Sequence, residues 1–142
     1  YDSTNKKCQA GDIEIVEPGH SKSGMTDTIF NCSVVYDVNN REPLLYEEYP
    51  GSITDVTQLQ CMLQKMKSFG YEHAGFILDR GYFSKENIHY MDNNGYDFIM
   101  MVKGMKSTVS EIVKAVKGTV EESYINRIYT YGVRGTTKEN KI

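Results

Sequence analysis

Two aspartates in this chain could do chemistry from the ends of strands. Asp79 directly follows the apolar run 74–78, which is typical of a buried strand. Ligands of open α/β sheets gather beyond the carboxyl ends of strands, so Asp79 is a candidate site residue. The alternative is that it caps the next turn or pairs with Arg80. Asp2 would lie on or at the end of a strand if residues upstream of it in a longer protein are extended, and taken alone it is more simply a turn or cap residue.

Together, the two carboxylates indicate a metal site. Carboxylates from neighbouring strands can hold hard divalent cations, which prefer oxygen ligands. Two such cations can clamp the attacking and leaving oxygens of a phosphodiester. The sequence contains no phosphate-binding loop, no dinucleotide-binding glycine motif and no nucleophile elbow. The histidines lack the helical spacing of zinc ligands, and only His20, which precedes Ser21 and Lys22 in a polar segment, is kept as a candidate.

Hydrophobic periodicity and turn residues predict the elements that position these side chains. The first part of the chain is predicted to contain a strand at 13–17, a polar loop at 19–28, and a hairpin of strands 29–37 and 43–49 that turns at Asn39 and Asn40. Helices and buried strands then alternate: a helix from N-cap Thr54 to Gly70, a buried strand at 74–78, a helix from Ser84 to Gly95, and a buried strand at 96–102. A helix from Ser107 to Gly118 and a strand at 125–133 follow. This order predicts a mixed α/β domain with a parallel portion.

Composition sets the class of protein. The chain has 142 residues and a formal net charge of −3, which fits one soluble globular domain without a membrane span or a signal sequence. Three widely spaced cysteines disfavour a disulfide framework and fit a reducing cytosol. Residues 1–97 hold 15 acidic and 8 basic side chains, whereas residues 98–142 hold 8 basic and 4 acidic ones. Because the first residue is Tyr1 rather than Met, we expect a segment excised from a longer protein.

Four segments in a recurring order resemble a known family. They are Tyr-Asp-Ser-Thr at 1–4, Gly-His-Ser-Lys at 19–22, Pro-Gly-Ser-Ile-Thr-Asp at 50–55 and Leu-Asp-Arg-Gly-Tyr-Phe-Ser-Lys-Glu-Asn at 78–87. Their order and spacing resemble the catalytic domain of DDE transposases from bacterial insertion sequences, and within these the insertion-sequence-four-like group. The resemblance covers about residues 1–103.

The resemblance implies a ribonuclease-H-like mixed sheet flanked by helices and truncated in this chain. Asp2 and Asp79 would be catalytic metal ligands, with Mg²⁺ as the cofactor and Mn²⁺ as a substitute. The full-length protein would cleave and join DNA strands at insertion-sequence ends in the bacterial cytoplasm, as a homodimer with DNA and away from any membrane. Lys22, Arg80 and His20 are candidate DNA contacts, although a lysine or arginine there is also readily a solvated surface charge.

The family's third acid, a glutamate on a later helix, has no match here. Glutamates are present at 111, 121 and 122, but their surroundings do not fit the family pattern. The resemblance therefore implies a partial catalytic core at 1–118 and the start of a β-rich insertion at 119–142. We expect such a fragment to be inactive alone.

Two alternatives stay open at the level of sequence. One is another ribonuclease-H-like nuclease, acting on RNA or branched DNA. The other is a decayed or domesticated module that binds DNA without catalysis.

Overall fold

A computed structural model describes residues 1–21, 24, 26–122 and 124–137. Backbone contacts divide the chain into two compact units, Tyr1–Lys103 and Gly104–Ile142. The elements of the first unit are β1 (Asp2–Lys7), β2 (Glu17–His20), β3 (Thr26–Asp37), β4 (Glu42–Pro50), α1 (Asp55–Ser68), β5 (Phe76–Leu78), α2 (Lys85–Asn93) and β6 (Phe98–Met100). The predicted mixed α/β class is therefore confirmed.

Strand β3 is the centre of an antiparallel sheet, and β1, β2 and β4 all pair with it. β4 ends where Pro50 pairs with Phe30. Glu17, the first residue of β2, pairs with Ile29, which is next to Phe30 in β3. Strands β2 and β4 therefore follow one another along the same side of β3. Ile29 also pairs with Lys7, which places β1 along the opposite edge of β3. The hairpin of β3 and β4 agrees with the sequence prediction.

Strands β5 and β6 pair in parallel, and α2 connects them. A parallel pair requires such a crossover, so the predicted parallel portion is confirmed. Helix α1, which precedes β5, begins after the predicted N-cap Thr54 and ends before Gly70, whose φ of +89° favours glycine. Ser84 caps α2 as predicted, because its hydroxyl accepts a hydrogen bond from the backbone N–H of Asn87 at 3.0 Å.

Helix α1 supplies the centre of the core. One side of its apolar stripe, Met62 and Met66, packs with Val35 of β3. The adjoining side, Leu59 and Leu63, belongs to a second cluster with residues of β5, α2 and the turns beside them. Partly buried Tyr1 packs against both clusters. One helix therefore holds the antiparallel sheet and the parallel pair together, and β1 begins at the junction.

The prediction that the strands at 74–78 and 96–102 are buried is wrong in two respects. Both strands are shorter, and each exposes its central residue: Ile77 is 60% exposed and Ile99 is 71% exposed. Phe76 and Leu78 face the core while Ile77 points away from it. Among the described residues of this unit, the helices therefore cover one face of β5, and the other face stays open.

The predicted strand at 13–17 is also wrong. The backbone N–H of Val16 donates to the carbonyl of Ile13, so this segment forms a turn. The strand begins at Glu17 and continues through Pro18 and Gly19, where a break and a polar loop were predicted. Proline is tolerated because β2 lies at an edge, where a missing N–H does not interrupt the sheet. The turn between β3 and β4 includes Asn39 and Asn40 as predicted, and Arg41 in this turn has a positive φ of 60°.

The second unit has smaller elements, α3 (Lys106–Val116), α4 (Thr119–Glu122), β7 (Arg127–Ile128) and β8 (Val133–Arg134). Helix α3 follows Met105 rather than the predicted cap Ser107, because the N–H of Val109 already donates to the carbonyl of Met105. The single strand predicted at 125–133 is wrong. The chain instead turns at 129–131, and β7 pairs with β8 as a short antiparallel hairpin.

Candidate functional site

Asp2 and Asp79 are both exposed, and each carboxylate is oriented by the next backbone N–H. Asp2 is the first residue of β1, and its Oδ1 accepts a hydrogen bond from the N–H of Ser3 at 2.8 Å. Asp79 follows β5, and its Oδ1 accepts from the N–H of Arg80 at 2.6 Å. Asp79 thereby caps a single 3₁₀ turn at Arg80–Tyr82. Among the described residues, the other oxygen of each carboxylate accepts no hydrogen bond, so it could bind a ligand.

The chain segments that carry the two aspartates are neighbours. The nitrogen of Tyr1 donates to the carbonyl of Ile77 at 3.4 Å. The rings of Tyr1 and Tyr82 lie 4.9 Å apart between centroids. Tyr1 directly precedes Asp2, whereas Ile77 and Tyr82 flank Asp79 on both sides. The start of β1 therefore lies against the end of β5 and the turn after it.

The inner side of this junction is a buried layer of tyrosines. Burial raises the pKa of the Tyr1 phenol to about 12 and raises that of Tyr82 well above its usual value. Burial likewise raises the pKa of Tyr49, whose hydroxyl donates to the Asp55 carboxylate at 2.7 Å. Neutral phenols thus fill the core side, while Asp2 and Asp79 lie on the exposed side.

The side chains of Asp2 and Asp79 suit a hard divalent cation, because such cations prefer oxygen ligands and both side chains are carboxylates. Within the described ranges, no group of three or more histidine, cysteine, aspartate or glutamate side chains is placed to hold a metal ion. The described part of the junction therefore offers two carboxylates rather than a complete ligand set.

The three candidate DNA contacts have different positions. Arg80 is exposed and directly follows Asp79. His20 is exposed at the end of β2, where its carbonyl accepts a hydrogen bond from the side chain of Asn5 at 3.3 Å. Lys22 lies outside the described residues. Arg80 therefore lies beside Asp79 because it follows it in the chain, whereas His20 lies at the end of a different strand.

His20 lines a separate cleft of about 350 Å³. Its other lining residues come from β1, β2, β3, the turn after β4 and the start of α1, and neither Asp2 nor Asp79 is among them. Two glycines of the sequence motifs, Gly19 and Gly51, meet beside this cleft. A Cβ on Gly51 would collide with the backbone carbonyl oxygens of Ile29 and Glu17, and a Cβ on Gly19 would collide with the carbonyl of Gly51. These glycines allow close approach of two backbones.

Sequence reasoning missed the polar residues that connect elements beneath the site. It named Asp55 only as the last residue of the segment 50–55, and it did not single out Tyr49 as its partner. It also overlooked Asn87, which is buried at 1% exposure and contacts the turn after Asp79. The only available signal was the position of Asn87 at the end of the segment 78–87.

No helix in the described ranges is both long and apolar enough to cross a membrane. A comparison with protein-family models matched residues 2–140 to the family described as "Transposase DDE domain". Searches of curated proteins and of solved structures found no match.

Proposed function

This chain belongs to the transposase DDE domain family, and from that premise we propose that Asp2 and Asp79 are two of its catalytic metal ligands. Members of the family act on DNA in transposition and generally use divalent metals. The observation that carries the proposal is the contact of the two aspartate-bearing segments, through the Tyr1 nitrogen and the Ile77 carbonyl.

Each part of the proposed site has a distinct role. Two bound divalent cations would supply the chemistry, since one would activate the attacking oxygen of a phosphodiester and the other would stabilise the leaving oxygen. Asp2 and Asp79, which are both exposed, would each ligate metal through carboxylate oxygens. The Arg80 guanidinium binds a phosphate of the DNA next to the cleavage point.

The proposal includes finer assignments from the sequence. The cation is Mg²⁺, for which Mn²⁺ substitutes, and the sheet is the ribonuclease-H-like core of the insertion-sequence-four-like group. Residues 1–118 form part of that core and residues 119–142 begin a β-rich insertion. The complete bacterial enzyme works in the cytoplasm as a homodimer on insertion-sequence ends and target DNA. In this assignment His20 and Lys22 also contact DNA.

We propose that the chain alone binds metal but does not cut DNA, because no third acid is identified among the residues that the structure describes. Glu111, Glu121 and Glu122 all belong to the second unit and are exposed. Hydrogen bonds from the backbone N–H groups of Glu121 itself and Gly118 lower the pKa of the Glu121 carboxyl, since they favour its ionised form. The Glu121 carboxylate therefore accepts backbone hydrogen bonds at the start of α4, and its position is explained without a bound metal.

Mn²⁺ binding measured by electron paramagnetic resonance tests the proposal. We expect Asp2→Asn and Asp79→Asn each to weaken Mn²⁺ binding at least about tenfold, because each removes one of two anionic ligands. Asp92→Asn is the matched control, since Asp92 is an exposed aspartate on α2. Equal Mn²⁺ affinity in all four proteins, or no Mn²⁺ binding by the unaltered chain, would overturn the assignment.

A non-catalytic DNA-binding module gives a different result in a DNA-binding assay. Its affinity for DNA would not depend on divalent metal or on Asp2 and Asp79. For the proposed site, we expect Mg²⁺ to increase DNA affinity in the unaltered chain and to have no such effect in Asp79→Asn.

A further inference from the structure

The buried side chain of Asn87 joins three separate parts of the chain. Asn87 lies in the first turn of α2 and is 1% exposed. Its Nδ2 donates to the carbonyl of Tyr82 and to the carbonyl of Val56, each at 2.9 Å. Its Oδ1 accepts a hydrogen bond from Nε2 of Gln60 at 3.0 Å. Both donors and the acceptor of the amide are therefore used.

These bonds need an asparagine. Only a side-chain amide offers two N–H donors and a carbonyl acceptor in so short a group. An aspartate would place an acceptor against two carbonyl oxygens, and an aliphatic side chain would leave buried carbonyls without a partner. Either change costs the desolvation of those groups, which is larger than the gain from an ordinary hydrogen bond.

The Tyr82 carbonyl belongs to the turn that orients Asp79. The N–H of Tyr82 donates to the Asp79 carbonyl at 3.2 Å, and the N–H of Arg80 donates to the Asp79 carboxylate at 2.6 Å. The turn contains only Arg80, Gly81 and Tyr82, so fixing its last carbonyl limits how the whole turn can rotate. Asn87 attaches that carbonyl to α1 through Val56.

We propose that Asn87 is a positioning residue for Asp79. It orients the Asp79 carboxylate toward the cation that Asp79 shares with Asp2. The inference rests on the proposed function, because it requires Asp79 to be a metal ligand. Asn87 does not touch the cation, since its polar atoms are buried and engaged with Tyr82, Val56 and Gln60. Its effect passes through the hydrogen-bonded turn to the Asp79 carboxylate.

Two neutral variants separate positioning from simple stabilisation. Asn87→Leu removes the bonds to both carbonyls, whereas Gln60→Leu removes only the bond to Oδ1 and leaves the turn attached. A merely structural role predicts lower stability toward urea in both variants and unchanged Mn²⁺ affinity in the folded protein. Positioning predicts Mn²⁺ affinity about five- to tenfold lower in Asn87→Leu and within about twofold of normal in Gln60→Leu.

A second variant and a second measurement cover the case in which Asn87→Leu does not fold. Asn87→Ala leaves space for water to bond to the carbonyls and should show the same loss of Mn²⁺ affinity. In the unaltered protein, addition of Mg²⁺ should shift the side-chain amide resonances of Asn87 but not those of Asn94, an exposed asparagine that bonds to the carbonyl of Tyr90. Unshifted Asn87 resonances in a protein that binds Mg²⁺ would overturn the inference.

Failure of the inference can be distinguished from failure of the proposed function. If Asp79→Asn leaves Mn²⁺ affinity unchanged, the metal site itself is wrong. If Asp79→Asn weakens Mn²⁺ binding and folded Asn87→Leu does not, the metal site stands and Asn87 is a structural residue only.

Discussion

The hydroxyl of Tyr49 donates a 2.7 Å hydrogen bond to the carboxylate of Asp55. Tyr49 lies near the end of β4 and Asp55 is the first residue of α1, so the bond spans the connection at 51–54 between sheet and helix. Thr54, the N-cap residue, makes no side-chain capping bond. Asp55 therefore has two stabilising roles, since it accepts this bond and places a negative charge at the positive end of the helix.

Removal of the Tyr49 hydroxyl should lower the free energy of unfolding. We expect Tyr49→Phe to cost about 1–2 kcal/mol, because the half-buried Asp55 carboxylate loses a bond from a buried donor. Tyr46→Phe in the same strand is the control, since Tyr46 is 70% exposed and should change stability by less than about 0.5 kcal/mol. Urea unfolding measures both, and equal effects of the two substitutions would contradict the role given to this bond.

Alkaline pH should destabilise the protein through the buried tyrosines. Burial raises the pKa of Tyr1 to about 12 and raises those of Tyr49 and Tyr82, whereas an unfolded tyrosine has a pKa of about 10. Between these values the folded protein retains protons that the unfolded chain has lost. Stabilisation from the neutral phenols is therefore complete below about pH 10 and is lost as the pH rises toward about 12.

Urea unfolding at a series of pH values measures this loss. The unfolding midpoint should be constant just below about pH 10 and fall steadily above it. Absorbance at about 295 nm should show the exposed tyrosines ionising first and the buried ones ionising only as the protein unfolds. A midpoint that stays constant up to about pH 12 would contradict the prediction.

A methyl group on Gly51 should disrupt the junction of β2 with the turn after β4. The new Cβ would meet the carbonyl oxygens of Ile29 and Glu17, and backbone atoms cannot move aside as a flexible side chain can. We expect Gly51→Ala to cost about 3 kcal/mol or more. Gly11→Ala is the control, because nothing lies within 4 Å of its Cβ position. Thermal unfolding distinguishes them, and two equal melting temperatures would show that the close approach is not required.

Local sequence patterns predicted the elements whose conformation depends on residues close together in the chain. The bounds of α1, from the N-cap Thr54 to Gly70, depend on residues within a few turns of each other, and they were predicted correctly. Strand β2 was missed because it contains Pro18 and lies in a polar segment. Its pairing with β3 joins residues 17–20 to residues 26–29, which no local pattern reveals. Ile77 was misread because an apolar run does not reveal whether a second layer covers the other face.

At the site, too, features set by neighbouring residues could be predicted, whereas contacts between residues far apart in the chain could not. The place of Asp79 after a strand followed from adjacent residues, and the structure puts it there. Asn87 and its partner Val56 are 31 residues apart, and Tyr1 and Ile77 are 76 apart. No periodicity connects positions at such separations, so only the folded chain shows that these residues hold the aspartate-bearing segments together.

Arg80 gives the most direct prediction for DNA binding, because its guanidinium is exposed beside Asp79. If it contacts a phosphate, Arg80→Ala should weaken binding to duplex DNA at low salt and reduce the slope of log affinity against log salt by about 1. Mn²⁺ binding should stay unchanged, because the Arg80 backbone N–H that orients Asp79 is retained. Lys67→Ala, an exposed charge near the end of α1, is the control. Fluorescence anisotropy across a salt series measures the slopes, and equal slopes in both variants would place Arg80 among the ordinary surface charges.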